Sequence, residues 1–115
     1  MPHYDWNQIP AEQLNPLVTR KVIHTNAMTV ARLNFAKGAA TPSHRHVNEQ
    51  VAMVEKGALK FDLDGQEIVV SAGQALAIPS GVPHGVVALE DSVIIDLFTP
   101  RRQDWIDGDD AYLRK

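Results

Sequence analysis

The 115-residue chain is 44% hydrophobic and 22% charged, has a net charge of −3 and contains no cysteine. That is length for one domain, and it excludes a disulfide scaffold, a thiolate metal site and thiol catalysis. Eleven basic residues against fourteen acidic ones, with no basic run to follow a phosphate backbone, argue against nucleic acid as a partner. No apolar run reaches the roughly 18 residues of a membrane span, and the start MPHYDWNQIP lacks the basic and apolar regions of a signal peptide. No membrane association is expected, and a cytoplasmic location is.

Pro2, Pro10 and Pro16 among polar residues forbid a long helix at the start. Residues 1–20 are read as an N-terminal arm, and residues 21–115 as a single barrel domain ending in a short segment. From Lys21 the chain becomes a series of short apolar runs broken by turns: MTVARLNF, VAMVEKG, ALKFDLDGQEIVV, AGQALAIP, GVVAL and VIIDLFTP. Leu59, Phe61 and Leu63 alternate with Lys60, Asp62 and Asp64, and Asp64-Gly65 is a hairpin signal. The fold class is therefore all-β, a sandwich or small barrel. The charged end RRQDWIDGDDAYLRK carries Trp105 and Tyr112, and is expected as a loop or helical turn whose aromatics pack onto the barrel.

His44 and His46 are two apart in a segment expected to be extended, and residues two apart on a strand share a face. The same parity reaches Gln50 and turns Glu49 away. His84 lies beyond the Asp64-Gly65 hairpin, where a returning strand brings a third imidazole to the first two. Three imidazoles and a carboxamide form a donor set for a divalent metal. His3 and His24 read as surface or hydrogen-bonded residues. Asp96 lies within an apolar run, where an ionised carboxylate costs several kcal/mol unless paired or bound. Two roles remain open for it: a buried pair with Arg32, Arg101 or Arg102, or proton transfer at a cavity wall. Arg32 shares parity with Val30 and Asn34, and a surface salt bridge is the favoured reading for it. Trp105 reads as a packing anchor.

Glycines and prolines frame the histidines. Gly38, His44, His46, Gln50 and Gly57 form one block, and Gly73, Pro79, Gly81 and His84 form a second with the spacing G-x5-P-x-G-x2-H. The blocks GAATPSHRHVNEQVAMVEKG and GQALAIPSGVPHG resemble the paired motifs of the cupins, with Gln50 where a glutamate is common and Ala88 where an asparagine often follows. The resemblance implies a double-stranded β-helix, a small jelly-roll barrel with the metal inside. HRHVNEQ, PSGVPHG and DLFTPRRQDW together resemble the pectin degradation protein family KdgF, over about 60 residues in three blocks. That resemblance implies one divalent ion (nickel, zinc, iron, manganese or cobalt) on His44, His46, Gln50 and His84. It implies Asp96 and Arg102 as catalytic residues, with Phe98 and Arg102 binding substrate. The activity implied is metal-dependent conversion of 4,5-unsaturated monouronates, small anionic sugars from pectin and alginate breakdown, to linear 5-keto-4-deoxyuronate. The competing expectations are a dioxygenase, a lyase or isomerase acting on another anionic metabolite, and a non-enzymatic ligand-binding cupin. A homodimer is expected.

Overall fold

Short stretches of alternating burial build two facing antiparallel sheets. The computed structural model describes residues 2–115. The ten strands are β1 (Glu12–Asn15), β2 (Val18–His24), β3 (Thr29–Phe35), β4 (Ala40–His44), β5 (Glu49–Lys56), β6 (Ala58–Leu63), β7 (Gln66–Ser71), β8 (Ala75–Ile78), β9 (His84–Ala88) and β10 (Ser92–Thr99). One helical turn, α1 (Gln103–Ile106), and a 3-10 turn at Ala111–Leu113 follow. Six strands form one sheet in the order β1-β2-β3-β10-β5-β8, and four form the other in the order β4-β9-β6-β7. After the β1–β3 meander the chain crosses from one sheet to the other at every connection except the β6–β7 hairpin, as in a jelly roll.

Period-two patterning decides which side chains face inward. Ala31, Leu33 and Phe35 of β3, Ile94 and Phe98 of β10, and Ala52 and Val54 of β5 are buried. They meet Leu59 and Phe61 of β6, Val70 of β7 and Ala88 of β9. Each large side chain so buried contributes roughly 1.5–3 kcal/mol. Asp64 and Gly65 join β6 to β7 with φ of 51° and 86°, the left-handed backbone that a two-residue hairpin requires. At Gly57 the need for glycine is doubled: φ is 84°, and a Cβ would lie 2.3 Å from Ser92 Oγ and 2.4 Å from the Asp91 carbonyl.

The second half of the segment read as an arm is mostly sheet. Within residues 1–20, Glu12–Asn15 and the start of Val18–His24 pair as a hairpin at the edge of the six-stranded sheet. Pro16 sits in the connecting turn and Pro10 before the first strand, so neither removes a ladder bond from a central strand. Leu14 and Val18 are buried, too few apolar positions to reveal an alternation. The chain's end behaves as expected: Trp105 is buried against Phe98, with ring centroids 5.1 Å apart. No helix among the described residues is long and apolar enough to cross a membrane.

Candidate metal centre and its cavity

His44 ends β4 and His84 begins β9, and these two residues are direct cross-strand partners. His46 lies beyond the end of β4, so loop geometry rather than strand parity turns it inward. That loop is fastened by Gly81 N–H to the His46 carbonyl at 2.9 Å, Ser80 Oγ to the Val47 carbonyl at 2.6 Å, and Asn48 Nδ2 to the Pro100 carbonyl at 2.5 Å. Gln50 belongs to the other sheet, on β5, where it is buried while Glu49 is exposed. The donor set thus spans both sheets, not a single strand.

Each imidazole is oriented through its own backbone. The Nδ1–H groups of His44, His46 and His84 donate to the carbonyls of Pro42, Asn48 and Val82 at 2.8, 3.0 and 2.9 Å. A carbonyl only accepts, so every Nδ1 carries the hydrogen and every Nε2 keeps its lone pair. The three residues' donor atoms lie within 4.8 Å of one another, a span that ligands roughly 2.1 Å from one ion reach with small ring rotations. Burial lowers the pKa of all three; for His46, burial with the nearby Arg102 charge brings it to about 4. The rings are neutral near pH 7, the form that binds metal.

Two further features fit a cation. His84 Nε2 is buried with no hydrogen-bond partner. Gln50 Nε2 donates to Asp96 Oδ1 at 2.9 Å, which leaves Gln50 Oε1 facing His46 Nε2 at 3.2 Å. That is acceptor against acceptor, an arrangement a positive ion between them relieves. His44, His46, His84 and Gln50 therefore fit a divalent metal.

A cavity of about 50 Å³ beside these donors is lined by His44, Gln50, His84, Asp96, Phe98, Arg102, Trp105 and Tyr112, among others. Asp96 stands on β10 between Ala31 and Ala52, small neighbours that leave room for the Gln50 amide. Of the alternatives left open, the structure places Asp96 at the cavity wall. Burial pushes its carboxyl up to about 6, opposed by the Gln50 hydrogen bond and the Arg102 charge. Arg32 points elsewhere and pairs with Glu55 at 2.9 Å.

Arg102 is 1% exposed. Its backbone N–H donates to Thr29 Oγ1 at 2.8 Å, while Nε and Nη2 donate to the Asp104 carboxylate at 3.0 and 2.8 Å. Burial opposes its charge, but the Asp104 and Tyr112 contacts outweigh it and hold the guanidinium more firmly protonated. Its Cζ lies 4.8 Å from the Phe98 ring centroid and 4.3 Å from that of Trp105. Phe98 also meets His46 edge-on, with centroids 5.6 Å apart, and so forms the wall between metal donors and arginine. The sequence reading missed Asp104 and gave Tyr112 only a packing role; the Arg102-x-Asp104 spacing was a weak signal for the first, and nothing in the sequence singled out the second.

Residues 31–98 match the cupin domain model. The chain is 33% identical over 103 residues to the pectin degradation protein KdgF of Dickeya dadantii (strain 3937), covering 87% of this chain and 94% of that protein. The solved structure of KdgF from Halomonas sp. superposes with a TM-score of 0.86 at 33% identity, covering 91% of this chain and 98% of that one. An RmlC-like cupin from Shewanella frigidimarina NCIMB 400 superposes with a TM-score of 0.85 at 28% identity, covering 91% and 96%. With its two-sheet barrel and its histidine cluster, the chain belongs to the cupins and, among them, to the pectin degradation protein KdgF family.

Proposed function

We propose that this protein acts in pectin breakdown by converting 4,5-unsaturated monouronates to linear 5-keto-4-deoxyuronate. The observation that carries this reading is the meeting of three neutral imidazoles with the Gln50 oxygen beside a cavity that His44, His84, the Asp96 carboxyl and Arg102 line. The chain's similarity to the pectin degradation protein KdgF of Dickeya dadantii supports this reading.

In the cyclic substrate, C5 carries the ring oxygen, the carboxylate and the C4=C5 double bond. Loss of the proton from the C1 hydroxyl and cleavage of the C1–O5 bond give an aldehyde at C1 and an enolate at C5. Protonation at C4 then yields the C5 ketone, so the net change is an isomerisation that needs no oxidant. A divalent metal on His44, His46, His84 and Gln50 would supply Lewis-acid stabilisation of anionic oxygen, with full positive charge because all four ligands are neutral. Asp96, with its carboxyl lifted to about 6, takes up and returns the proton near neutral pH. Arg102, already oriented by Asp104, pairs with the substrate carboxylate or enolate oxygen without reorganising. Phe98 supplies an apolar wall that keeps water from the arginine.

The test follows the decay of ultraviolet absorbance from the conjugated double bond of unsaturated galacturonate, with metal-loaded protein, chelated protein and no protein compared. Acceleration over the spontaneous rate, lost on chelation, is expected. No acceleration with any of nickel, zinc, iron, manganese or cobalt would overturn the substrate. Oxygen uptake in its place would favour a dioxygenase, and ligand binding without turnover a non-enzymatic cupin. A second copy of the chain is the partner proposed, since the outer face of the six-stranded sheet carries an apolar patch: Val30, Leu97, Val51 and Ala77 form one cross-strand row, and Ile95, Met53 and Ala75 lie in the next beside Arg32, whose charge Glu55 pairs.

A further inference from the structure

An anionic sugar entering this cavity meets Arg102 with much of its guanidinium already engaged, because Nε and Nη2 donate to Asp104. Nη2 also donates to Tyr112 Oη at 2.6 Å. Tyr112 borders the cavity that Asp96, Gln50 and His84 line, and its ring lies against His44 with centroids 4.9 Å apart. In both of its hydrogen bonds, from Arg102 Nη2 and from Trp105 Nε1 at 3.5 Å, the phenol oxygen is the acceptor. Among the described residues its own hydrogen is committed to no acceptor.

The ring is held in place by more than its contact with His44. Asp110, two residues earlier, accepts from Arg20 Nη2 at 2.8 Å and from Arg114 Nε at 3.1 Å, and Asn15 Nδ2 donates to the Leu113 carbonyl at 3.3 Å. The segment that delivers Tyr112 is thus clamped to β1 and β2, and little ordering remains to be done when a ligand binds.

We propose that Tyr112 binds substrate: its O–H donates to the same anionic oxygen group that Arg102 pairs with, so that phenol and guanidinium act as a two-donor clamp beside the metal donors. This rests on the sugar-acid reading above and adds a residue to it. The clamp selects for a carboxylate, since a neutral hydroxyl does not exploit the guanidinium charge.

Calorimetric titration tests the clamp without requiring turnover. Saturated galacturonate and galactose are titrated into wild-type, Tyr112→Phe and Tyr112→Ala protein, each loaded to one equivalent with nickel. Wild type is expected to prefer the acid, and Tyr112→Phe to lose about 10- to 100-fold in affinity for galacturonate. Its galactose affinity and metal content should match wild type. If Tyr112→Phe binds galacturonate as wild type does and only Tyr112→Ala is weakened, the ring merely packs, and the clamp is overturned while the sugar-acid reading stands. If wild type shows no preference for galacturonate over galactose, the clamp and the sugar-acid reading fall together.

Discussion

Gln50 joins the metal donors to the carboxylate that would move protons, since its amide gives its N–H to Asp96 and its oxygen to the histidine cluster. Replacing it by glutamate keeps an oxygen ligand but removes the donor to Asp96. Gln50→Glu is therefore expected to retain metal by elemental analysis while turnover falls about 10- to 100-fold. His84→Ala removes the orphaned Nε2 and should weaken metal binding by more than about 100-fold in a chelator competition, a larger loss than supporting residues usually cause. Asp96→Asn keeps the cavity's shape and is expected to cost about 10²- to 10⁴-fold in turnover with metal still bound. At this scale the histidines and Gln50 were legible because glycines and prolines framed them at fixed spacing. Tyr112 was not, since only the folded chain brings its hydroxyl to Arg102, ten positions earlier.

Individual strands show where local pattern carries information and where it fails. β3, β5 and β6 bury alternate residues and, with β10, announce themselves as apolar runs, so sheet and barrel were readable although β4 (ATPSH) buries nothing. β1 has four residues with only Leu14 buried, and its place in the sheet depends on pairing with β2, which no local pattern encodes. The same hairpin provides Arg20, 3% exposed, whose partners Asp110 and Glu12 come from opposite ends of the described chain. Asp110→Ala would leave that buried guanidinium largely unpaired and should cost about 3 kcal/mol in denaturant unfolding. Gly57→Ala forces a Cβ against Ser92 and Asp91 on left-handed backbone, and an unfolding loss of at least about 3 kcal/mol is expected.

For the molecule as a whole, acid sensitivity follows from Asp110. Hydrogen bonds from Arg114 and Arg20 outweigh burial and hold its carboxyl below the ordinary value. A carboxylate depressed in the folded state stabilises fully above its unfolded pKa of roughly 3.9, and that stabilisation is lost as pH falls through the lower folded value. Melting temperature measured against pH should therefore drop below about pH 4, and Asp110→Asn should flatten that drop. The apolar patch on the outer face predicts a dimer in sedimentation, with Ile95→Lys sedimenting as a monomer while keeping its melting transition.

Trp105 lies between two guanidiniums, Arg20 at 4.5 Å and Arg102 at 4.3 Å from its ring centroid. The chain has one other tryptophan, Trp6, which lies before β1 and lines no part of the cavity. Because one of those two cations is the group proposed to grip the ligand, any shift of Arg102 changes the electric field across the indole. The protein thus carries its own optical reporter: emission from Trp105 should change colour or yield as a sugar acid binds, and a Trp6→Phe background would isolate that signal for stopped-flow work without an added dye.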